Sequence, residues 1–310
     1  MTRIYFATDI HGSTKCWKKF LNVGKFYEAD ITILGGDLTG KAIVPIVESL
    51  GGARASFRGR DYLLDSEEKS REFEGIVAMS GYYPHRLSPE ENDELRADPK
   101  KLDQLFTRLM EERLREWLKL ADERLGKTGT KRYVCPGNDD PFLVSDIFKQ
   151  SSTVTDVSDR AVPVDENHMM VNVGWSNPTP WKTHRECSEE ELEKRIEEQV
   201  SQLDDIPNSI FQLHAPPYFS QLDDAPKLDE TLKIVYGETA PVGSTAVRKV
   251  IEKYQPLLGL HGHIHESSGA QKIGRTLCVN PGSAYTEGVL NGVVIYLDKL
   301  KVKSYYSVVG

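Results

Sequence analysis

Cysteine is scarce in this chain and follows no recognisable spacing. Four cysteines occur in 310 residues, at Cys16, Cys135, Cys187 and Cys278. Their positions match neither a zinc motif nor a redox motif. We therefore predict a reduced chain in the cytoplasm. Cys135 and Cys278 lie in apolar strands and are predicted to be core residues.

Long hydrophobic runs are missing as well. No apolar run approaches the ~20 residues that a membrane-spanning helix needs, and the mean hydropathy is −0.45. An apolar strand begins almost at once and is followed by Asp9, too early for a signal peptide. We expect neither a membrane partner nor a secretory leader.

Positive charge is in deficit. The chain has 39 lysines and arginines against 47 aspartates and glutamates, a net charge of −8, and it contains no long basic tract. This balance argues against general nucleic-acid binding, although a nucleotide substrate is still allowed. Repeats, low-complexity segments and flexible linkers are also lacking. The length is ample for one core, so we predict a single domain over residues 1–310.

Apolar strands that end in polar loops are what the sequence has instead. Five such strands are followed by carboxylate, amide or imidazole residues: Arg3–Thr8 by Asp9 and His11, Ile31–Leu34 by Asp37, Arg132–Cys135 by Asn138, Ser209–Leu213 by His214, and Leu257–Leu260 by His261, His263 and His265. Three histidines in five residues would be costly in a core, because each buried ring nitrogen needs a partner. Ligand sites of open α/β sheets gather outside strand ends, so these loops predict one shared site.

The loop from Gly35 to Lys41 also approaches a phosphate-binding P-loop. It lacks the hydroxyl residue after the lysine, and the following Ala42–Val47 is β-branched and contains a proline, so it is not the required helix. We therefore interpret Lys41 as a loop residue or as a residue that supports the site. Ile43–Val47 and Ala53–Phe57 are predicted to form a β-hairpin.

Taken in order, these residues resemble the calcineurin-like metallophosphoesterase family. The motifs that carry the resemblance are Asp9-x-His11, Gly36-Asp37, Gly137-Asn138, His214 and Gly262-His263-x-His265. They span the chain from residue 4 to about residue 283, apart from one long insertion. The resemblance implies a two-sheet α/β-β/α sandwich flanked by helices. It also implies hydrolysis of a phosphoester by a hydroxide that bridges two metal ions.

The resemblance assigns ligands to both metals. One ion would be held by Asp9, His11, Asp37 and His265, and the other by Asp37, Asn138, His214 and His263, with Asp37 as the bridge. The mixed nitrogen and oxygen donors suit divalent Mn, Fe or Zn. His261 is not a ligand in this pattern. It would either contact a phosphate oxygen or hold a neighbouring ligand in place.

One departure from the family pattern bears on the substrate. Many members have a histidine after the Gly-Asn pair, where it protonates the leaving group, but this chain has Asp139. A carboxylate beside two cations should stay ionised and be a poor general acid. We therefore favour a phosphodiester with a leaving group that departs unaided. The alternatives are a phosphomonoesterase that takes its proton donor from the insertion, such as His85, and a non-catalytic metal-binding scaffold of the same fold.

The insertion is predicted to be a helical cap over residues 63–126, or else a peripheral stabilising block. Its helices should cover Ser66–Ser80, a capped segment from Ser88, and Pro99–Leu125. The aromatic linker 81–86 brings His85 and Arg86, which would either bind substrate or pack under the cap. A loop with two tryptophans, long enough to reach the site mouth, leads to His184, a further candidate substrate contact. The expected partner is a small phosphoester, with nucleotides among the candidates, and the sequence predicts no oligomeric state.

Overall fold

The computed structural model describes residues 1–125 and 129–310. The strands are β1 (Thr2–Ala7), β2 (Ile31–Leu34), β3 (Ile43–Ser49), β4 (Gly52–Phe57), β5 (Arg60–Leu64), β6 (Tyr83–Leu87), β7 (Lys131–Val134), β8 (Thr155–Asp156), β9 (Arg160–Pro163), β10 (Met169–Val173), β11 (Ile210–Leu213), β12 (Asp224–Leu228), β13 (Ile234–Pro241), β14 (Leu258–Leu260), β15 (Gly269–Ile273), β16 (Thr276–Asn280), β17 (Asn291–Asp298) and β18 (Lys301–Val309). The α-helices are α1 (Thr14–Phe26), α2 (Glu67–Met79), α3 (Pro89–Ala97), α4 (Pro99–Leu125), α5 (Leu143–Phe148), α6 (Glu189–Val200) and α7 (Thr245–Tyr254).

Two six-stranded sheets form the centre of the molecule. The first has the order β18-β17-β1-β2-β7-β8 and the second β15-β16-β14-β11-β10-β9. Strands β1, β2 and β7 are parallel, as are β10, β11, β14 and β16. The carboxyl ends of parallel strands meet at one edge of a sheet, and in this molecule the two edges carry the polar loops. The predicted α/β-β/α sandwich is therefore confirmed.

Three apolar layers hold the sandwich together. Between the sheets lie residues such as Phe6, Ile33 and Leu258. Helices α1, α4 and α5 cover the outer face of the first sheet, and α6 and α7 cover the outer face of the second. Each layer buries the apolar face of a sheet or the apolar stripe of a helix, which is the dominant favourable contribution to folding.

Helix α1 shows how local sequence sets these elements. Ser13 is its N-cap and accepts a hydrogen bond from the backbone N–H of Cys16. Cys16, Trp17 and Phe20 recur at helical spacing and are buried. The helix therefore begins directly after the first polar loop and anchors that loop to the core.

The inserted segment begins at β3, before residue 63, and contains a sheet as well as helices. A third sheet of order β5-β4-β3-β6 packs against α2 around a small apolar cluster that includes Ile46, Phe57 and Phe73. The helices lie where they were predicted, but the segment predicted as linker 81–86 leads into strand β6, which pairs in parallel with β3. Each residue of β6 therefore points to one face of the sheet or the other.

Helix α4 belongs to the main core. Met110, Leu114 and Trp117 lie in the same apolar layer as α1, and the Trp17 and Trp117 rings stack with their centroids 5.0 Å apart. The limits of the predicted cap at residues 63 and 126 stay a prediction, and residue 126 lies outside the described residues. Within the described part of the chain, no helix is both long and apolar enough to cross a membrane.

Candidate metal centre

The polar loops meet between the ends of the two central sheets. Asp9 and His11 follow β1, Asp37 follows β2, and Asn138 follows β7 in the first sheet. From the second sheet, His214 follows β11, and His263 and His265 follow β14. Asp9, His11, Asp37, Asn138 and His214 are at most 3% exposed. The structure thus brings all seven predicted ligands into one cluster, in which His263 and His265 are only partly buried.

Four of these residues have strained backbones. Asp9, His11, Asp37 and His263 have φ values of 52°, 36°, 43° and 68°. The left-handed region costs a residue with a Cβ roughly 1–2 kcal/mol. Such strain persists only where the surroundings over-determine it, and it concentrates at functional sites. The strain at four candidate ligands therefore indicates that the required direction of the side chains, and not the conformational preference of the backbone, determines the conformation of these loops.

Two glycines allow the close approach of the loops. A Cβ on Gly36 would lie 2.1 Å from the His214 ring, and a Cβ on Gly137 would lie 2.2 Å from Oδ1 of Asp37. Any side chain at either position would push a ligand out of the cluster. Gly36 and Gly137 are thus needed because the two sheets bring their loops together here.

The first ligand group consists of Asp9, His11 and His265, whose donor atoms lie within 4.8 Å of one another. The Nε2 atoms of His11 and His265 are 3.0 Å apart, and Nε2 of His265 is 3.5 Å from Oδ1 of Asp9. Metal–nitrogen bonds of about 2.1 Å at a right angle place two nitrogens about 3 Å apart. The spacing of these donors fits one metal ion.

The second group consists of Asp37, His214 and His263, again within 4.8 Å. Nε2 of His214 lies 3.5 Å from Oδ1 of Asp37 and 3.0 Å from Oδ1 of Asn138. The opposite carboxylate oxygen, Oδ2 of Asp37, lies 3.6 Å from Nε2 of His11 in the first group. Asp37 therefore stands between the groups, with one oxygen toward each.

Hydrogen bonds behind the donors aim them at the cluster. Nδ1 of His214 donates to the carbonyl oxygen of Gly35, which leaves Nε2 toward the centre. The amide nitrogen of Asn138 donates to Oγ1 of Thr183 at 2.8 Å, which leaves its carbonyl oxygen toward His214. Such outer contacts fix the orientation of metal ligands. The chemistry of the donors and their directions both fit divalent metal ions.

The charges of the protein itself give the imidazoles different pKa values. Burial lowers the pKa of His263 to about 4 and that of His11 well below its usual range. Burial acts in the same direction on His214, but the carboxylates of Asp37 and Asp9 raise its pKa to about 9. Against the effect of burial, the charge of His214 holds the pKa of Asp37 well below its ordinary value. Burial also lowers the pKa of His265, but its hydrogen bond with Asp9 and the charge of Asp9 raise that pKa overall. In the metal-free protein, His214 and His265 are therefore the histidines that are most readily protonated.

Comparison with known proteins bears on the fold. No protein-family model matches the sequence. A stretch of 125 residues, 40% of the chain, is 36% identical to the uncharacterized protein MJ1162 of Methanocaldococcus jannaschii, and the match spans 52% of that relative. One crystal structure, 17% identical, covers 97% of this chain and 97% of its own with a TM-score of 0.53.

Two further solved structures are similar over most of the chain. The protein TT1561 of Thermus thermophilus is 16% identical and covers 94% of this chain and 93% of its own, with a TM-score of 0.48. A novel archaeal phosphodiesterase is 10% identical and covers 99% of each chain, with a TM-score of 0.37. At these identities, structural likeness concerns the fold alone.

The architecture itself identifies the fold. Two sheets covered by helices carry, at their strand ends and in order along the chain, the ligand motifs that resemble those of the family. The fold is that of the calcineurin-like metallophosphoesterases.

Asp139 occupies the position at which many proteins of the metallophosphoesterase fold have a histidine. Its Oδ2 lies 3.7 Å from Nδ1 of His11 and 3.2 Å from Nζ of Lys41. Burial and the charge of Asp37 raise the pKa of Asp139 to about 6, and Lys41 acts against them. Two dications beside Asp139 would lower its pKa, in the same direction as Lys41 does. The carboxylate that stands at the histidine position is therefore paired with a lysine.

His261 turns away from the ligands. It is fully buried, and its Nδ1 lies 2.8 Å from the carbonyl oxygen of Leu213 and 3.2 Å from that of Ala215. Its Nε2 faces Gly259, where a Cβ would come within 2.7 Å. Two roles were predicted for His261. This geometry supports the second, in which His261 holds His214 in place by bonding to the carbonyl groups of its two neighbours. It does not support contact with a phosphate oxygen.

Several residues of the site were not singled out from the sequence. Asp140 is fully buried and accepts hydrogen bonds from the backbone N–H groups of Leu38, Thr39 and Gly137. Arg185 is 4% exposed and donates to the carbonyl oxygen of Asp140. Asp140 therefore ties the loop of Asp37 to the loop of Asn138. The only sequence signal was a second carboxylate beside Asp139.

Tyr285 was also missed. Its ring centroid lies 4.7 Å from that of His11 and 5.8 Å from that of His265. The hydroxyl of Ser283, two residues earlier, donates to the carbonyl oxygen of Asp9. The loop after β16 thus covers the first ligand group, and the turn-forming residues Asn280 to Ser283 are a local sequence signal that could have indicated it.

The three candidate substrate contacts lie in different surroundings. Arg86 forms ion pairs with Glu67 and Glu74 of α2. His85 is on the other face of the inserted sheet, where burial lowers its pKa and the charge of Arg108 on α4 acts in the same direction. No contact within the described residues joins either of them to the ligands. His184 is exposed and follows Thr183, the residue that holds Asn138, so it lies next to the centre.

Proposed function

We propose that this protein is a metal-dependent phosphoesterase that hydrolyses a small phosphodiester. The observation that carries the proposal is the pair of buried ligand groups around Asp37, one with Asp9, His11 and His265 and the other with His214 and His263. Two such groups around one carboxylate suit two divalent ions, of which Mn, Fe and Zn fit the mixed donors best. When bound, such ions polarise phosphoryl oxygens and make water a nucleophile at neutral pH.

The side chains of this chain position the reaction. Asp37 presents one oxygen to each ligand group, and Thr183 turns the Asn138 carbonyl oxygen toward the centre. Two carboxylates and four neutral imidazoles among the ligands leave the loaded site short of negative charge, which favours an anionic phosphoryl group. The loop from Asp37 to Lys41 is held by Asp140, so the reacting phosphorus would meet a rigid surface.

The preference for a diester follows from the groups beside the leaving-group position. Asp139 stands between His11 and Lys41, so near the ions it would be an ionised carboxylate paired with an ammonium. A carboxylate in that state donates no proton. An acidic leaving group departs without protonation, whereas an alkoxide does not. We therefore infer a disubstituted phosphate with an acidic leaving group.

The two alternative functions have less support. A phosphomonoesterase would need a proton donor from the insertion, but His85 lies among charged residues of α4. A non-catalytic scaffold would be expected to lack some ligands, but all seven positions are filled and converge.

The test is reconstitution of the full-length protein with Mn²⁺, Fe²⁺ or Zn²⁺, followed by assays on bis(p-nitrophenyl) phosphate and p-nitrophenyl phosphate. We expect metal-dependent turnover, faster on the diester, with two ions per chain by elemental analysis. Asp37→Asn should abolish turnover and lower metal content, whereas Asp61→Asn, an exposed change in the insertion, should do neither. Full activity and two ions in Asp37→Asn would remove Asp37 from the bridge. No turnover with any metal would refute the proposed function.

A further inference from the structure

One face of the inserted sheet is only partly covered. In β4, Ala53, Ala55 and Phe57 are buried and belong to the apolar cluster against α2. Successive residues of a strand point to opposite faces, so Arg54 and Ser56 point to the other face. Helix α3 packs against β3 and β6 of the sheet, and a groove remains between α3 and the strands β4 and β5.

This groove has the size of a small-molecule site. It encloses about 520 Å³, a volume typical of pockets that hold organic ligands. Its lining includes Pro45, Val47 and Leu63 from the sheet and Asn92 and Arg96 from α3. No described residue that lines it is among the seven candidate metal ligands. The groove is therefore a candidate site of its own.

An arginine lies between apolar side chains on the floor of the groove. Arg54 is paired with Val47 of β3 on one side and with Leu63 of β5 on the other. Directly opposed residues of neighbouring strands share a face of the sheet. Val47 is only partly buried, and Leu63 is 60% exposed. The floor therefore offers apolar surface on both sides of a cation.

The wall of the groove buries an amide. Asn92 is the buried residue of α3, with 9% of its surface exposed. Its side chain forms no hydrogen bond with any described residue. Asparagine is a weak helix former, and a buried amide without a partner costs stability, whereas an apolar residue facing the sheet would not. Asn92 therefore indicates a ligand that bonds to its amide.

Two arginines of the groove have no partner of opposite charge. Within residues 1–125 and 129–310, neither Arg54 nor Arg96 forms an ion pair or a side-chain hydrogen bond, although 47 acidic residues face 39 basic ones in the chain. On the other face of the sheet, Arg86 pairs with Glu67 and Glu74. The last turn of a helix favours a cation, which accounts for Arg96 but not for Arg54. The groove therefore holds two guanidinium groups that can bind an anion.

Asp61 limits the charge of that anion. It lines the groove and lies opposite Ser56, one diagonal step from Arg54 on the same face. No ion pair of Asp61 occurs in the described part of the chain. Two arginines and one aspartate leave one surplus positive charge. A monoanion neutralises this charge, whereas a dianion would also be repelled by Asp61.

We propose that this groove binds an organic carboxylate with an apolar body. The planar fork of an arginine matches the two oxygens of a carboxylate, so Arg54 and Arg96 hold the charged end. Asn92 donates a further hydrogen bond, and the apolar body lies on Val47 and Leu63. The site does not depend on the proposed phosphoesterase activity, because none of these residues takes part in that reaction.

The experiment measures the binding of 4-phenylbutyrate to the full-length protein by calorimetry. Two further probes divide the ligand into its parts. The amide 4-phenylbutyramide has the same body without the charge, and acetate has the same charge without the body. Methyl resonances of Val47 and Leu63 in NMR spectra locate the bound probe.

We expect saturable binding of 4-phenylbutyrate that shifts both methyl resonances. The amide should bind about tenfold more weakly or worse, because it lacks the charge-assisted hydrogen bonds, and acetate should also bind more weakly, because it buries no apolar body. Arg54→Gln and Arg96→Gln should each weaken the binding of 4-phenylbutyrate severalfold. Arg60→Gln is the matched control. Arg60 is an unpaired arginine of the same hairpin that lies opposite Phe57, on the other face of the sheet.

Several results would overturn the proposal. Absence of saturable binding would remove the site, and equal affinity for acetate would show general attraction of anions without recognition of an apolar body. An equal loss in Arg60→Gln, or methyl shifts confined to residues outside the groove, would place the binding elsewhere. Circular dichroism of each variant shows whether it is folded, so a loss of binding in a folded Arg54→Gln protein supports the site.

Discussion

At the scale of single residues, neighbouring side chains of the same type have different roles because their surroundings differ. Asp139 and Asp140 are adjacent, yet Asp139 faces Lys41 at the ligand cluster and Asp140 is buried among backbone N–H groups. His261 and His263 are two residues apart, yet His261 forms hydrogen bonds with backbone carbonyl groups and His263 belongs to the second ligand group. Two nearby loop residues point in different directions, so their chemistry differs although their side chains do not.

Replacement of Asp139 tests the missing proton donor. Asp139→His should raise the ratio of kcat/KM on an alkyl monoester to that on an aryl diester, because a histidine could supply part of the general-acid factor of ~10²–10⁴. Asp139→Asn removes the same charge without adding a donor and serves as the control. Equal ratios in both variants would show that another group already protonates the leaving group.

The raised pKa of His214 predicts how metal binding depends on pH. His214 binds its proton below about pH 9 in the metal-free protein and loses it as the pH rises through that value. A metal requires the neutral ring, so loading at pH 7 should release a proton and affinity should rise about tenfold per pH unit toward pH 9. Calorimetric titration in buffers of different ionisation enthalpy measures the release. Absence of proton release at pH 7 would contradict the assignment.

The raised pKa of His214 also determines how the stability of the metal-free protein depends on pH. A histidine with a raised pKa stabilises the fold fully below its unfolded value of ~6.5, and this contribution is lost as the pH rises through about 9. The lowered pKa of Asp9, about 2, adds a contribution that is lost only in strong acid, as the pH falls through that value. The contributions of His214 and Asp9 are therefore both complete only between the two unfolded values, ~3.9 for aspartate and ~6.5 for histidine.

At the scale of elements, strand β6 and helix α4 of the insertion hold the ligand loops. The guanidinium of Arg113, on α4, donates to the carbonyl oxygen of Gly12 at 2.9 Å and lies over the Tyr83 ring. The Tyr83 hydroxyl accepts from the backbone N–H of Gly40 at 2.9 Å. Arg113 is only 9% exposed. One buried pair therefore contacts both the loop after β1 and the loop after β2.

Removal of the Arg113 guanidinium should loosen the centre. Arg113→Met keeps most of the packing of the stem and leaves the Gly12 carbonyl without its donor, so we expect metal affinity to fall about 10–100-fold, as for other residues that support metal ligands. Competition with a chelator measures the affinity. Arg108→Met, an exposed change on the same helix, is the control. Wild-type metal affinity in Arg113→Met would show that the contact serves packing alone.

At the scale of the whole molecule, the candidate centre joins the two sheets. The first sheet contributes Asp9, His11, Asp37 and Asn138, and the second contributes His214, His263 and His265. The loops that carry these residues meet between the sheets, where Nε2 of His214 from the second sheet lies 3.5 Å from Oδ1 of Asp37 from the first. Metal ions in this position would connect halves of the sandwich that are far apart in the sequence.

Metal removal should therefore lower the melting temperature. An ion present at 100 times its dissociation constant stabilises the folded state by about 2.7 kcal/mol, a shift of a few degrees for a chain of this size. Thermal unfolding with Mn²⁺ or Zn²⁺ over a range of concentrations, against chelator-treated protein, measures the shift. Ca²⁺, which prefers oxygen donors, should stabilise less. A melting temperature that no metal changes would argue against the centre.

The sequence by itself predicted the candidate ligands and determined the central fold. Each ligand follows an apolar strand within a few residues, and glycines mark the close approaches at Gly36 and Gly137. Helix caps such as Ser13 and Ser88 are local signals too, and both caps form. These features depend on residues close together in the chain, so pattern and spacing suffice to predict them.

Only the tertiary structure decided what surrounds the ligands. Strand β6, with the sequence YPHRL, alternates weakly and contains a proline, and its pairing with β3 depends on a partner 40 residues away. That pairing turned Arg86 toward α2 and placed Tyr83 against Gly40. Arg113, Asp140, Arg185 and Tyr285 likewise act through contacts about 45 to more than 250 residues away along the chain. Such contacts leave no periodic trace, because each is fixed by the packing of whole elements and not by neighbouring residues.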